Sequence, residues 1–507
     1  MKRFYALSAF LVAYVQGAWA YVTGGYLYRS SHLSYARSAY PTPDSGIVIG
    51  GKSFLMKLGY FGNVQWAKYY ELDPSVPIPI NSVYGTSDGG FILSSNRWVA
   101  DSMRVDSTDV VLLKVDANGN PEWARQFSWE DANEEDYSVK QLSNGNFVLL
   151  GRGRILGGGR YKVILISTDS SGYYTGSWMF QDYNDYDFLP STVEETSDGG
   201  LVIVGTVQTY SRYNDVFVIK LDQYYNIEWA RIYGSLIDDF GRSIKQTDDG
   251  GFLVAGTTAS LGHSDVLVIK LDSSGNIQWA KTYGNITYEK GESIERADDG
   301  NYIVAGTITD TSNTRSHFIA FKIDISGNVL WYSTYEPHLN NWGYYTARSI
   351  RRTASGTFAM VGGWMFSSDR GVAVFSIDEY GITLCYNYQS PTVNNFPLQT
   401  ETLSLSFIGG ADVYLPSFTA YDLTVIGEMI CIMSAFEGNA SCSDDLINSG
   451  KGYIRVKHPS DFEVRIYTPD GKLVKMAKGK GEISVSLDKG VYFVVFENRI
   501  IKKVLVL

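Results

Sequence analysis

The sequence predicts an all-β chain: a seven-bladed β-propeller of four-stranded antiparallel blades, followed by a small C-terminal Ig-like β-sandwich. Three observations predict this fold class. A segment of about 50 residues recurs along most of the 507-residue chain. Each copy contains four stretches with the residue pattern of β-strands. Amphipathic helical stretches are almost absent.

The repeat is clearest in three central copies, which combine a Gly-rich turn, two apolar strands, a second turn and a closing Trp. These copies are Ser197–Gly234, Asp248–Gly284 and Asp298–Tyr335. Weaker copies begin at Ser87, Ser143 and Ala354, and a shortened first copy runs from Gly46 to Trp66. The closing aromatic recurs at Trp66, Trp123, Trp178, Trp229, Trp279 and Trp331, with Cys385 where a seventh Trp would fall. We therefore predict seven blades over residues 21–390, with Trp66, Trp123, Trp229, Trp279 and Trp331 as blade-packing residues.

The four strands of one copy follow one another with distinct patterns. The short strand Ser243–Thr247 leads into an Asp-Asp-Gly-Gly hairpin turn, in which Gly tolerates positive φ. Gly251–Gly256 follows, then Asp265–Leu271, which is nearly continuously apolar, and finally the alternating strand Ile277–Tyr283. A linear β-solenoid is the alternative, but its repeats are usually shorter and do not need four distinct strands. The shortened first copy suits a ring closed by strands from both chain ends, with residues 31–40 as the inner strand of the first blade.

The N-terminus has the pattern of a secretory signal peptide. Lys2-Arg3 precedes an apolar run over Phe4–Val15 and an Ala18-x-Ala20 end, so we expect cleavage after Ala20. The apolar run is shorter than the roughly 20 residues that span a bilayer, which disfavours the alternative of a membrane anchor. The net charge of −11 argues against binding to nucleic acid or anionic membranes. We expect a secreted or surface-held mature chain (residues 21–507) without a transmembrane segment.

The C-terminal quarter departs from the blade pattern. Residues 391–436 contain strand-like stretches that could flank the propeller, residues 437–450 form a polar linker, and residues 451–507 contain six short alternating strands. A disulfide between Cys385 and Cys431 would tie the flanking segment to the ring, with Cys431–Cys442 as the rival pairing.

Two family resemblances bear on these predictions. The segment Leu271–Trp279 is similar to the blade ending of quinoprotein-like (PQQ-like) propellers, and closer still to the Asp-Gly-Gly and Trp repeats of exported bacterial and archaeal propeller proteins. This resemblance covers about residues 32–390 and implies a fold rather than an activity.

The C-terminal domain resembles the sorting domain of the type IX secretion system. The motifs that carry this resemblance are Val464–Tyr467, Asp470–Val474, Ile483–Leu487, Gly490–Tyr492 and Lys502–Leu507. The resemblance implies an Ig-like domain that is recognised by an outer-membrane export machine. The Pro-Asn-Pro that commonly opens such domains is missing here. The alternative is a stabilising or adhesive sandwich.

The sequence contains no recognisable catalytic constellation. The five histidines are scattered, and no zinc, phosphate-loop or dinucleotide motif occurs. The cysteines include no adjacent pair of the kind found in quinoprotein alcohol dehydrogenases, so PQQ binding has no support. Acidic residues recur before the first strand of several blades, and the candidates for a Ca²⁺ site are Glu135, Asp136, Asp187, Asp238 and Asp239. The favoured interpretation is that they bind backbone amides of their own turns, so we predict no cofactor.

Tyrosines in variable loops are the candidate binding residues, namely Tyr210, Tyr213, Tyr344 and Tyr345. The leading hypothesis is a non-catalytic propeller at the cell surface that binds a surface glycan or protein and serves as a binding or adhesion scaffold. The alternative is an extracellular carbohydrate-active enzyme with carboxylates around the channel. A PQQ-type redox protein is the third hypothesis.

Overall fold

The chain is described by a computed structural model. The described residues are 24–29, 35–52, 54–60, 62–71, 78–101, 104–128, 132–155, 159–182, 184–209, 213–260, 263–312, 315–335, 343–366, 369–381, 386–388, 392–395, 399–402, 405–409, 412–414, 419–422, 426–429, 447–450, 453–467, 473–486, 490–496 and 500–506. These residues contain strands and turns and no α-helix, which confirms the predicted all-β fold class. Accordingly, no helix in this part of the chain has the length and hydropathy needed to cross a membrane.

The chain separates into two compact parts, one spanning Thr23–Ile432 and the other containing the residues from Met433 to the C-terminus. In the first part, sets of four antiparallel strands recur, and each set is called a unit. Strand β1 (Gly24–Arg29) precedes unit 1. Unit 1 contains β2 (Ala36–Pro41), β3 (Ile47–Gly51), β4 (Phe54–Leu58) and β5 (Val64–Glu71), and unit 2 contains β6 (Ser82–Gly85), β7 (Phe91–Asp101), β8 (Arg104–Val115) and β9 (Pro121–Ser128).

The later units follow the same plan. Unit 3 contains β10 (Ala132–Gln141), β11 (Phe147–Ile155), β12 (Lys162–Thr168) and β13 (Tyr174–Asp182), and unit 4 contains β14 (Asp187–Glu195), β15 (Leu201–Gln208), β16 (Asn214–Leu221) and β17 (Ile227–Gly234). Unit 5 contains β18 (Asp239–Gln246), β19 (Phe252–Ser260), β20 (His263–Leu271) and β21 (Ile277–Gly284), and unit 6 contains β22 (Tyr288–Arg296), β23 (Tyr302–Thr309), β24 (Ser316–Ile323) and β25 (Val329–Tyr335). Unit 7 contains β26 (Tyr344–Arg352), β27 (Phe358–Phe366) and β28 (Asp369–Ile377), and its fourth strand is β1.

The first strands of the units stand side by side around a channel. Each first strand contacts the first strand of the next unit, and β26 of unit 7 contacts β2 of unit 1. Four-stranded antiparallel units arranged radially in this way are the architecture of a β-propeller.

Strand β1 completes the last unit, whose other strands are β26, β27 and β28. It pairs with β28, so the N-terminal segment supplies the fourth strand of that unit. Gly24 pairs with Ser376, at the register where Trp279 pairs with Lys270 in unit 5. The seventh Trp position therefore belongs to Gly24, and the assignment of that position to Cys385 was wrong. Cys385 itself, Cys431 and Ala20 lie outside the described residues.

A further set of short strands runs along the outer edges of the units, and we call residues 386–429 the belt. Its strands are β29 (Tyr386–Tyr388), β30 (Thr392–Asn395), β31 (Gln399–Thr402), β32 (Leu405–Gly409), β33 (Asp412–Tyr414), β34 (Thr419–Asp422) and β35 (Ile426–Met429). They pair antiparallel, in this order, with β25, β21, β17, β13, β9, β5 and β1. The belt thus visits the units in reverse chain order and adds a fifth strand to each.

The core lies between neighbouring units. The third strands are apolar on both faces because both faces are covered, and Val266, Val268 and Leu271 are fully buried.

The closing Trp residues lie at the boundary with the next unit. Trp229 Nε1 donates a hydrogen bond to Ser273 O at 3.1 Å, and Trp66, Trp279 and Trp331 make the equivalent bonds to Ala117, Ile325 and Glu379.

A buried lysine at the end of the third strand reinforces the hairpin of the same unit. Lys270 Nζ lies 2.9 Å from Asp249 Oδ2 and also donates to Leu271 O at 2.9 Å. The same ion pair recurs as Lys57–Asp44, Lys114–Asp88, Lys220–Asp198 and Lys322–Asp299. The lysine and the turn aspartate of the repeat are therefore partners within one unit.

The second compact part contains one five-stranded sheet. Its strands are β36 (Ile447–Gly450), β37 (Tyr453–Tyr467), β38 (Leu473–Ser486), β39 (Gly490–Phe496) and β40 (Ile500–Val506). The order is β36-β37-β39-β40, with β38 paired to the other side of β37. Of the six predicted short strands, two pairs are merged into the long strands β37 and β38. In β37, an irregularity of pairing between His458 and Asp461 bends the strand without ending it. The sandwich arrangement stays a prediction.

Candidate functional site

The first strands surround a channel of about 680 Å³, lined by side chains from all of the units described above. The hairpin turn that ends each first strand sets a common register, so equivalent residues of successive units form rings around the channel. Three such rings line it.

The ring nearest the start of the strands results from β-bulges. In six units the first strand carries one extra residue opposite its partner strand, as at Arg242 between Gly241 and Ser243. A bulge turns the side chain of its extra residue away from the regular alternation. We call these residues, together with the equivalent Asn81 of unit 2, the bulge ring: Arg37, Asn81, Tyr137, Ser191, Arg242, Glu292 and Arg348.

The next ring consists of hydroxyl side chains: Ser38, Ser82, Ser138, Thr192, Ser243, Ser293 and Ser349. Several of them join neighbouring units. Ser243 Oγ accepts a hydrogen bond from the backbone N–H of Ile294 at 3.3 Å, and Ser82 accepts one from Val139 at 3.2 Å. Ser243 and Ser82 therefore satisfy backbone donors at the unit boundaries.

The third ring, which we call the ionic ring, lies nearest the hairpin turns. Its members are Tyr40, Tyr84, Lys140, Glu194, Lys245, Glu295 and Arg351. Glu194 binds both Lys140 and Lys245, and Lys245 Nζ also lies 3.6 Å from Glu295. Arg351 extends this series of ion pairs and lies 3.9 Å from Glu295. At the other end of the series, Lys140 Nζ lies 5.2 Å from the centre of the Tyr84 ring. Charges of alternating sign thus run from unit 3 to unit 7.

Glu194 is the most strongly constrained carboxylate of the ionic ring. Burial opposes its ionisation, but the positive charges of Lys245 and Lys140 outweigh that effect and lower its pKa to about 2. Burial likewise opposes the charge of Lys245, and Glu194 and Glu295 outweigh it and raise the lysine pKa. At neutral pH, Glu194 is therefore ionised and engaged, and it has no proton to donate.

The bulge ring has a different balance of charge. It contains three arginines and one glutamate, and Glu292 pairs with Arg348 at 3.6 Å. Arg37 donates to Asn81 Oδ1 and lies 3.4 Å from the Tyr35 hydroxyl. Arg242 lies over the ring of Phe240 at 5.8 Å. The channel entrance at this end is consequently positive, in a chain whose net charge is −11.

Apolar side chains are exposed on the loops at this same end, which we call the loop face. Leu236 is 81% exposed and Ile286 is 79% exposed, both in loops that lead into a first strand. Tyr213, Tyr288, Tyr344 and Met365 are also exposed there. The backbone N–H of Asn214 donates to Asp238 Oδ1 at 2.8 Å, which joins the loop of Tyr213 to the loop of Leu236.

The predicted binding tyrosines divide into three groups. Tyr213 and Tyr344 lie exposed on the loop face. Tyr345 is 6% exposed and packs in the core with Phe318 and Phe358, so it is not accessible to a ligand at the surface. Its burial follows from strand alternation, because neighbours in a strand point to opposite sides. Tyr210 lies outside the described residues.

The predicted acidic candidates whose side chains are described are bound to groups of their own or neighbouring loops and strands. Glu135 pairs with Arg152 at 2.9 Å, Asp187 accepts the N–H of Tyr161 at 2.8 Å, and Asp239 accepts two hydrogen bonds from Ser235. Asp238 binds Asn214, as described above, and the side chain of Asp136 lies outside the described residues. Within the described ranges, no three His, Cys, Asp or Glu side chains are grouped to hold a metal ion.

The channel arginines are functional candidates that the sequence reasoning missed. A signal was present: Arg37, Arg242 and Arg348 each stand five residues before the Thr that begins the hairpin turn. The spacing becomes informative only when the bulge is known. In a regular strand, neighbours such as Arg242 and Ser243 point to opposite sides, so the two would not both line the channel.

Comparisons with known proteins give similarity to solved structures alone. No family model and no curated protein matches the chain. A protein of unknown function from Bacteroides caccae is 13% identical with a TM-score of 0.35, and the match covers 56% of this chain and 92% of that one. Sqt1 from Chaetomium thermophilum is 9% identical with a TM-score of 0.34, over 69% of this chain and 98% of that one. A neuraminidase-like protein of A/little yellow-shouldered bat/Guatemala is 11% identical with a TM-score of 0.33, over 70% and 99%.

Proposed function

We propose that this chain is an exported, non-catalytic β-propeller that binds a surface glycan at its loop face and channel entrance. The observation that carries the proposal is the state of the channel carboxylates. Glu194 is held ionised by two lysines, and Glu295 and Glu292 each lie beside a cation. Polar and charged side chains that already form ion pairs within the channel are suited to recognising a ligand rather than to catalysis.

The alternative, a carbohydrate-active enzyme, has different requirements. A glycosidase needs one carboxylic acid that stays protonated at working pH and a second carboxylate facing it across the scissile bond. Glu194 cannot serve as the acid. Burial raises its pKa, but the charges of Lys245 and Lys140 outweigh burial and lower the pKa to about 2.

The experiment is a glycan array followed by calorimetry, with the purified chain from residue 21 onwards. We expect saturable binding to at least one glycan class, with no product released from the bound glycan on prolonged incubation. Release of reducing ends, abolished by Glu292→Gln, would establish the enzyme alternative instead. Absence of binding to every glycan class would also refute the proposal.

We further propose that residues 1–20 direct export and that residues 451–507 direct the chain to the outer cell surface through a type IX-like machine. The support for this proposal is the sequence pattern of both segments. In a bacterium with such a machine, removal of residues 451–507 should leave the chain in the periplasm. Surface display of the shortened chain would refute the sorting role.

A further inference from the structure

We propose that the bulge ring is the binding site for an anionic saccharide, one that carries a carboxylate or sulfate group. This inference rests on the proposed binding function and adds the chemistry of the ligand. Arg37, Arg242 and Arg348 would bind the anionic group, and the polar members of the ring would bind sugar hydroxyls.

The arginines are oriented before a ligand arrives. Each stands at a β-bulge of a first strand that is paired with the second strand of its unit, and each lines the channel. The Arg37 guanidinium is fixed by Asn81 and lies close to the Tyr35 hydroxyl. A side chain that is already ordered loses less conformational entropy on binding, which favours affinity.

The charge balance selects an anion. Glu292 compensates one of the three arginines, so the bulge ring keeps two excess positive charges, and the ionic ring adds three cations against two carboxylates. An excess of positive charge inside a cleft raises the local concentration of anionic ligands. The guanidinium group presents parallel N–H donors that match the oxygens of a carboxylate or a sulfate.

The dimensions and the remaining residues indicate a saccharide. A channel of about 680 Å³ is in the range of small-molecule sites. Asn81, Ser191 and Tyr137 supply neutral donors and acceptors beside the arginines. A long polyanion such as nucleic acid is disfavoured, because the cations lie inside a channel of an acidic protein and not along an open stripe.

The test compares oligosaccharides by calorimetry on the purified chain from residue 21 onwards. Its arms are a uronic-acid oligosaccharide, a sulfated oligosaccharide, a neutral oligosaccharide of the same length, and free acetate and sulfate. We expect at least one acidic oligosaccharide to bind at least tenfold more tightly than the neutral one, with affinity that falls as salt rises. Free acetate and sulfate should compete only at far higher concentration.

Three variants locate the site. Arg242→Gln should weaken acidic binding at least tenfold, and Arg242→Lys should weaken it less, because lysine keeps the charge and loses the paired donors. The matched control is Arg296→Gln, since Arg296 pairs with Asp248 at a hairpin turn and does not line the channel. Thermal unfolding of each variant checks that the fold is retained.

The outcomes separate the two proposals. Equal affinity for neutral and acidic glycans, or no effect of Arg242→Gln, would overturn the anionic site and leave the binding function standing. Free sulfate binding as tightly as the oligosaccharide would overturn saccharide recognition. Turnover of any glycan would refute the binding function itself.

Discussion

Lys245 Nζ lies 2.9 Å from Glu194 Oε1, across the boundary between units 5 and 4. Lys140 of unit 3 binds the other oxygen of Glu194, and Glu295 of unit 6 lies 3.6 Å from Lys245 Nζ. Four consecutive units therefore contribute one charge each to a continuous chain of ion pairs. Because the partners are largely buried, removal of one of them weakens the charge compensation of its neighbours.

Glu194→Gln should lower the free energy of unfolding by about 3 kcal/mol, since two buried lysines lose their shared counter-ion. Urea unfolding at neutral pH measures the loss. The matched control is Glu122→Gln, because Glu122 is exposed and its partner Lys114 keeps Asp88. We expect the control to cost less than about 1 kcal/mol. Equal losses in the two variants would contradict the role of the ionic ring.

The loss of stability caused by Glu194→Gln should depend on pH. The pKa of Glu194 falls from its ordinary 4.5 to about 2 in the folded chain, because Lys245 and Lys140 outweigh burial. A lowered carboxylate pKa stabilises the fold at pH above the unfolded value, and this contribution is lost as pH falls toward 2. The stability difference between the native chain and Glu194→Gln should therefore shrink between about pH 4.5 and pH 2.

The contribution of Asp239 to stability should depend on pH in the opposite direction. Burial raises its pKa from 3.8 to about 6, despite the hydrogen bonds from Ser235. Because the folded chain holds this proton more tightly, stability falls as pH rises from about 3.8 to about 6. Asp239→Asn should relieve that loss, so we expect it to be more stable than the native chain by about 2 kcal/mol at pH 7. Thermal unfolding across pH 4–7 measures the gap, and a gap independent of pH would refute this prediction.

The hydroxyl ring allows a matched pair of substitutions. Ser243→Ala should cost about 1–2 kcal/mol, because the buried N–H of Ile294 loses its acceptor. Ser349 is equally buried, but its Oγ has no hydrogen-bond partner within the described residues. Ser349→Ala should therefore be neutral or slightly stabilising. Denaturant unfolding compares the two variants, and similar losses would contradict the inter-unit hydrogen bond.

The contact between Trp229 and Gly275 can be isolated in the same way. Gly275 has a φ of +77°, and a Cβ there would lie 2.8 Å from the Trp229 ring of the preceding unit. Gly250 also has a φ of +77°, but a Cβ there would meet only Ser273, at 3.9 Å. Both Ala variants incur the cost of positive φ, about 1–2 kcal/mol.

We expect Gly275→Ala to cost a further 1–3 kcal/mol, roughly the range for overpacking. The difference in unfolding free energy between the two variants measures the contact. A difference near zero would mean that Trp229 moves aside freely. Tyr225 occupies the equivalent position in unit 4 with a φ of +66°, and its ring lies 4.5 Å from that of Trp178.

The belt should protect the outer edges of the units. Unpaired edge strands exchange their amide hydrogens quickly and promote aggregation. Deletion of residues 386–507 should therefore accelerate hydrogen exchange in β17, β21 and β25, while the inner strands β16 and β20 stay protected. Deletion of residues 451–507 alone is the control, since it leaves the belt intact. Unchanged exchange in the outer strands of the beltless chain would refute this role.

Local features of the fold were predictable because they are encoded within a few residues. The Asp-Asp-Gly-Gly turn of unit 5 forms where expected, and Gly250 adopts the positive φ that the turn requires. The apolar run Asp265–Leu271 forms the buried β20, as its lack of alternation indicates. By contrast, the orientation of Tyr344 and Tyr345 depended on which side of β26 faces the neighbouring unit, and adjacent aromatic residues carry no signal for that.

The belt and the candidate site depended on contacts that are distant in sequence. Belt strands of three to five residues have too little pattern to be recognised singly, and the partner strand of each lies in a different unit. The bulge ring depends on one extra residue in a strand relative to its partner, which is a property of the pairing.

By itself, the sequence determined the all-β class, the recurring four-stranded plan and the positions of the turns. Hydrophobic periodicity and glycine conformational freedom act over a few neighbouring residues and are visible in any one copy. Only the tertiary structure decided that β1 completes unit 7, that the belt covers the outer strands, and that three arginines line the channel entrance. The physical reason is that these arrangements follow from register and charge between units, where each repeat contributes a single side chain or strand.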